Sequence, residues 1–409
     1  MRDGWRETTL GDVTDTLLGK TLARGGSSVE GGQPYLRNVN VQWGRVSNHG
    51  LNEMIFSDAE RELYELKAGD ILICEGGEVG RLALLTEDLP GVYFQNALHR
   101  VRASAGDEPG FIALALEHLV RSGGLEGLVR QVTIAHLNQR TLRQLPITLP
   151  PLDEQRRIVD LIAAVDDAVD AAEGEAQAAR RTLTDIGSVS NERVTSGDWA
   201  TVTLAQALGS GSIMTGPFGS ALHQQDYRAT GTPVVMPKNI SGQRVDYDGI
   251  ARIGDEDVER LKRYQTRAGD ILWSRRGDVT RFAVIGDADA GSLCGTGCFI
   301  VRPEDAKVTP WLEMWMATPL VKQWLTERAV GATMANLNTA LLGEVPVADV
   351  PEEERDALVS SISSLHAAAD GANVTAEALR TLRSNLLTVL LSGEHEIPSS
   401  YDALLEQVA

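Results

Sequence analysis

The feature that most restricts how this 409-residue chain folds is a repeat spanning half its length. Residues 67–83, KAGDILICEGGEVGRLA, match 267–283, RAGDILWSRRGDVTRFA, at nine of 17 positions, where unrelated segments would share roughly one. The same offset lays Ala135–Ile147 over Ala335–Val347, with Ala, Leu, Asn, Leu and Pro recurring in place. An offset of 199 aligns Pro34, Asn40 and Val46 with Pro233, Asn239 and Val245. Trp5 with Thr9-Leu10 resembles Trp199 with Thr203-Leu204. One module is written twice, so a solution for one half must serve the other.

Each copy has the same internal order. Short apolar runs broken by Gly, Asn and Asp, such as Ile71–Cys74, Leu82–Leu85 and Phe299–Val301, predict strands. Helical stretches follow near Phe111–Arg121 and Trp311–Glu327. Asn138 and Asn338 then stand as N-caps of a short helical turn that Pro146 or Pro346 ends. The last part of each copy changes character. Apolar residues fall at Ile158, Ile162, Val165, Val169, Ala172, Ala176, Ala179, Leu183 and Ile186, a sustained heptad seam. A helix over that span is about 42 Å long at 1.5 Å per residue. The second seam runs Leu358, Ile362, Leu365, Ala369, Ala372, Ala376 and Leu379. Two unrelated surface helices would also read this way, but two matched seams in one chain can satisfy each other. The expected fold is mixed α/β, with two pseudo-repeated domains joined by two long antiparallel coiled-coil helices.

Composition excludes several classes. Hydrophobic residues make up 43% and charged residues 23%, which rules out wholesale disorder. No run of about 18 apolar residues offers a membrane span, and the start has no basic-then-apolar leader. Three cysteines, Cys74, Cys294 and Cys298, are too few for a disulfide framework or a zinc site and predict reduced thiols in a cytoplasmic protein. The net charge of −19 argues against nucleic acid until it is mapped. Residues 151–197 and 351–409 together carry −12 of it, while 1–150 and 198–350 carry −4 and −3. The larger segments can therefore each present a local basic face, and screening makes local charge decisive.

These motifs resemble the specificity subunit of type I restriction–modification systems. The resemblance rests on Trp5, Thr9-Leu10-Gly11-Asp12-Val13, Gly19-Lys20-Thr21, Gly69-Asp70-Ile71-Leu72 and, most specifically, Leu149-Pro150-Pro151-Leu152-Asp153-Glu154-Gln155-Arg156-Arg157-Ile158. It covers roughly residues 5–392, and Val350-Pro351-Glu352-Glu353-Glu354-Arg355 departs from the pattern at the second helix start. It implies a target-recognition domain at 1–150, a central spacer helix at 151–190, a second target-recognition domain at 191–350, a C-terminal spacer helix at 351–393 and an acidic, frayed tail at 394–409. It further implies double-stranded DNA as ligand and two methyltransferase subunits, with restriction subunits in some systems, as partners. S-adenosylmethionine, and ATP with Mg where a restriction subunit is present, would belong to those partners, leaving this chain without a cofactor, a metal or a membrane role.

The residues themselves offer little catalysis. Leu18-Gly19-Lys20-Thr21 lacks the earlier Gly of a phosphate loop, since position 14 is Thr14. The resemblance instead makes Lys20 a phosphate contact. Asp58 with Glu65-Leu66-Lys67 is too loosely spaced for a nuclease and reads as a solvated surface. The only double proline, Leu149-Pro150-Pro151-Leu152, has no amide or ring to hold a target adenine. Gly69-Asp70 and Gly269-Asp270 read as turn formers. The better binding candidates are loop residues. Ser274, Arg275 and Arg276 carry guanidiniums able to fork onto guanine, while the aligned Cys74-Glu75-Gly76 has no base, so the copies should read DNA differently. Arg37, Asn38, Asn40, Gln95, Asn96 and Arg100 in copy one, and Phe218, Lys238 and Asn239 in copy two, complete the set. Each could equally make surface salt bridges, caps or core contacts.

The function expected is that of a non-catalytic reader of a bipartite DNA target. The alternatives are an acidic DNA mimic, a standalone DNA-binding defence protein, or an enzyme whose catalytic motif is not apparent.

Overall fold

The computed structural model describes residues 4–21, 31–125, 137–217, 221–329 and 336–402. It divides into two compact units, Met1–Ala171 with Thr375–Ala409, and Ala172–Val374. Each unit combines the sheet-bearing part of one copy with segments of both long helices.

In the first unit, a four-stranded antiparallel sheet has the order Thr14–Leu18, Leu98–Ala103, Asp70–Cys74, Leu82–Leu84. A second sheet orders Asn52–Met54, Gln33–Leu36 and Tyr93–Phe94, the last pair parallel. Arg6–Thr9 pairs with Pro146–Leu149 and closes the domain just before the long helix. The second unit repeats this plan. Ser212–Thr215, Cys298–Arg302, Ile271–Ser274 and Phe282–Val284 form its four-stranded sheet, and Ala200–Thr203 pairs with Pro346–Asp349. The duplication seen in sequence is a duplication of topology.

The GDIL segment shows why it recurs. Gly69 and Gly269 take φ of +86° and +87°, which a residue with a Cβ rarely adopts. Every residue of Asp70–Cys74 is buried, because successive side chains enter different cores. Ile71 and Ile73 join Phe111 and Leu116, while Leu72 and Cys74 join Leu36 and Phe94. Asp70 accepts the Lys67 N–H at 2.8 Å and receives Arg102 Nε at 2.6 Å; Asp270 does the same with Arg267 at 2.7 Å and Arg302 at 2.7 Å. These aspartates serve structure, as their turn chemistry suggests.

The heptad seams form long helices, Leu152–Thr195 and Glu352–Leu391, extending beyond the seam residues at both ends. Ile158, Ile162, Val165, Val169, Ala172, Ala176 and Ala179 are all buried. Within the first unit the segments run antiparallel: Asp166 meets Arg383 at 2.5 Å, and Ile158 and Ile162, earlier on the first helix, share a core with Leu387 and Leu390, later on the second. The proline-rich motif clamps the helix start to its domain. Glu154 accepts the Trp5 Nε1–H at 3.2 Å, and buried Gln155 bonds Asp107, Glu108 N and Pro150 O. In the second unit the sequence departs, and so does the clamp: Arg193 pairs with Glu354 and stacks 4.3 Å over the Trp199 ring.

Two expectations change. The helix foreseen near Trp311–Glu327 is two, Thr309–Met316 and Pro319–Arg328, because Pro319 lacks an N–H and forces Thr318 into extended backbone at ψ 151°. Residues 394–402 are not a frayed tail. Ile397 is buried in the first unit's core and Asp402 is ion-paired to Arg157, whose guanidinium holds the carboxyl below its usual range. Asn138 and Asn338 cap their helices, accepting from Thr141 N at 2.9 Å and Leu341 N at 2.8 Å. All three cysteines are free and buried; desolvation pushes the Cys298 thiol up to about 12.

Candidate nucleic-acid interface

In each unit the loop after the GDIL strand is fixed by two neighbouring segments. In the first, Glu75 N donates to Ala97 O at 2.9 Å and Glu75 O accepts from Leu137 N at 2.9 Å. In the second, Arg275 N donates to Gly297 O at 2.8 Å and Arg275 O accepts from Leu337 N at 3.0 Å. A 3-10 turn stands beside each loop: Asn38–Asn40, whose Asn38 O accepts from Arg81 at 2.8 Å, and Pro237–Asn239, whose proline lies against Gly297. Loop and turn together form one edge per unit.

Several residues chosen from sequence are committed to that scaffold and do not face solvent. Asn40 and Asn239 are 4% and 2% exposed. Their Oδ1 atoms accept from Arg37 N at 3.0 Å and Met236 N at 3.2 Å, and their Nδ2 atoms donate to His49 O and Asp246 O. In the structure both act as turn staples. Arg100 is buried, donating to Leu63 O and Glu65 O and pairing with Asp15; burial lowers its pKa from the ordinary arginine value. Lys20 donates to Ile55 O at 2.9 Å and Glu60 at 2.6 Å, a bond that helps hold the Glu60 carboxyl down at about 2. This pair gives the partly exposed Lys20 ammonium a partner within the unit. Gln95 is buried, and Ser274 is buried with its hydroxyl donating to Arg276 O at 3.0 Å, shaping the loop. Arg37 is half-buried and reaches Gly50 O at 3.1 Å; Asn38, Asn96 and Arg275 are also half-buried. Phe218 lies outside the described residues.

What remains exposed is Lys238 and Arg276, with Asn336 facing Arg276 in an isolated backbone bridge. Lys238 follows Pro237, which touches Gly297, the partner of Arg275. The two basic residues therefore sit on neighbouring segments of one edge. The first unit's equivalent edge differs: Val39, 57% exposed, occupies the place of Lys238, and Glu75-Gly76 the place of Arg275-Arg276. Val39 was not singled out from sequence. Its signal was the 199-residue offset, which sets it against Lys238 between two turn residues. Among the described residues no cluster of three metal-ligating side chains occurs.

The staple assignment makes a separable prediction. Asn40→Ala or Asn239→Ala should cost about 1–3 kcal/mol of stability, the usual penalty for stranding a buried amide's partners, and leave target preference unchanged. Altered target preference with an unchanged urea midpoint would return these residues to the reading surface.

Comparison with known proteins places these features. Residues 2–179 match the family model for the type I restriction modification DNA specificity domain. The chain is 22% identical over 402 residues to the type I restriction enzyme EcoBI specificity subunit of Escherichia coli, covering 90% of this chain and 81% of that one. It is 26% identical over 153 residues to a putative type I restriction enzyme specificity subunit of Haemophilus influenzae, 37% of this chain and 38% of the relative. A crystal structure of the type I restriction–modification S subunit from M. genitalium superposes with a TM-score of 0.60 at 16% identity, covering 95% and 97% of the two chains.

Proposed function

We infer that the chain belongs to the family of type I restriction–modification specificity subunits and is the DNA-recognition subunit of such a complex. The observation that carries this reading is one fold built twice with unlike side chains on equivalent edges. Identical edges would suit a symmetric target; unlike edges suit two different half-sites. In this reading each unit follows the major groove of one half-site, where Arg and Lys can bond guanine and apolar groups can meet a thymine methyl. Residues 151–197 and 351–409 carry most of the net acidic charge, and no helix among the described residues is long and apolar enough to cross a membrane.

The chain acts as a reader and not as the catalyst of its complex. Two methyltransferase subunits would bring S-adenosylmethionine and methylate adenine, and restriction subunits, where present, would bring ATP and Mg for cleavage. Such a complex would work on DNA in the cytoplasm. The test is genome-wide mapping of methylated adenine in cells carrying the complex with wild-type chain, Arg276→Ala or Lys238→Ala. Either change should relax one half-site at one position, by about 1–3 kcal/mol for a lost base-specific contact, and leave the other half-site untouched. A uniform weakening over all sequences would reduce these residues to phosphate contacts. Persistence of the same methylation map after deletion of the chain would remove the reading altogether.

A further inference from the structure

The second unit contains a cavity of about 430 Å³. It opens between the helix segment around Leu183, the hairpin turn at Gly242–Arg244 and the two helices around Ala317. The aligned copies explain its origin. In the first unit the equivalent hairpin carries Trp43, whose indole lies 4.3 Å beneath the Arg121 guanidinium and donates to Glu78 at 2.7 Å. Arg121 pairs with Glu117, and Glu117 with Arg383. The second unit has Gly242 for Trp43, Val321 for Arg121, Ala317 for Glu117 and Leu183 for Arg383. Gly242, Ala317 and Leu183 line the cavity, so three of these exchanges leave smaller side chains at its walls.

The walls that remain have a defined chemistry. Leu183, Met314, Pro319 and Ala369 supply apolar surface. Arg244 is held on one side by Glu313 at 2.5 Å and Asp370 at 3.8 Å, and His366 Nε2 lies 3.5 Å from Glu313 without making a hydrogen bond. Arg180 and Lys322 also line the cavity, both exposed and neither with a side-chain partner among the described residues. A buried apolar floor with unneutralised cations along it suits a ligand having an apolar body and a negative group.

We propose that this cavity is a binding site for a small planar aromatic anion, whose ring takes the place that Trp43 fills in the sister unit and whose negative group meets Arg180 and Lys322. The size is in the range of ordinary small-molecule sites. The proposal is independent of how the unit reads DNA. It rests on the lining and on the replacement of an indole by open space.

The probe is anilinonaphthalene sulfonate, an aromatic ring system with a fixed negative charge, titrated by fluorescence into the full chain. Saturable binding at one site per chain is expected. Ala317→Trp should abolish it by refilling the corner, at a position with ordinary negative φ of −81°. Gly242→Trp should do the same, although Gly242 sits at φ +55° and a side chain there is strained, so Ala317→Trp with unchanged circular dichroism is the deciding variant. Arg180→Ala with Lys322→Ala should weaken binding about tenfold, the scale of a lost charge-assisted contact. Absent saturation in the wild type, or retained binding in folded Ala317→Trp, overturns the site. Binding indifferent to both cations overturns its anion preference. Loss of the probe on assembly with methyltransferase subunits would assign the cavity to a partner's side chain and overturn the small-ligand proposal.

Discussion

Arg302→Leu is expected to destabilise the second unit by about 3–5 kcal/mol, because it strands a buried carboxylate. The Asp270 side chain is 2% exposed and receives both Nε and an Nη of Arg302, at 2.7 and 2.6 Å. One further bond, from Arg267 N at 2.7 Å, cannot hold a desolvated charge alone. The arginine is less dependent on the pair, since it also reaches Gln265 O and is partly exposed. Removing the aspartate should therefore cost less than removing the arginine. Five of the seven tryptophans, at 199, 273, 311, 315 and 324, lie in the second unit, so intrinsic fluorescence follows its unfolding. Arg302→Leu should lower that midpoint by about 1 M urea or more. Asp270→Asn in the same chain should recover over half of the loss, because a neutral amide needs no counter-charge. Arg102→Leu breaks the same pair in the first unit and should leave the tryptophan transition nearly in place. A midpoint shift below a few tenths molar for Arg302→Leu would mean that water or a rearranged side chain reaches Asp270.

That pair also marks what could be read from sequence. The GDIL turns, the strands after them, the capping asparagines and both heptad seams were legible because each is a local signal: a glycine forced to positive φ, an amide before a helical turn, an apolar residue every 3.5 positions. The commitment of polar side chains was not. Asn40 and Asn239 have the residue type, loop setting and spacing of adenine readers, yet both close a turn through bonds to a chain segment seven to nine residues away. Arg100 looks like a free cation until Asp15, 85 residues earlier, is brought beside it. Tertiary placement decides such residues, and nothing in their immediate neighbours encodes it. The repeat offered partial help: it pairs Val39 with Lys238 and Trp43 with Gly242, and in both cases the proposed roles rest on the difference between copies.

A matched heptad deletion should shorten the unread gap of the DNA target while leaving both half-site sequences intact. In the proposed reading the paired helices set the distance between the half-sites. Within the first unit the Asp166–Arg383 pair places 165–171 against the stretch around 377–384. Deleting Val165–Ala171 together with Glu377–Arg383 returns the apolar face on both helices: Ala172 follows Ile162 in the place of Val165, and Leu386 follows Ala376 in the place of Leu379. The Asp166–Arg383 pair disappears whole, and Glu117 keeps Arg121 at 3.0 Å, so no buried charge is stranded. Seven residues remove about 10.5 Å of helix, equivalent to about 3 base pairs at 3.4 Å each. Three base pairs turn the duplex by about 100° at 10–10.5 per turn, whereas one heptad turns the seam by only about 20°. The shortened chain must therefore twist its DNA or its helices, and its complex should methylate more slowly than the parent as well as at a closer spacing. Deleting either heptad alone leaves the opposing helix seven residues too long and should abolish activity. Methylation mapping of the double deletion decides the matter: the parental gap retained would show that something other than the helix pair sets the spacing.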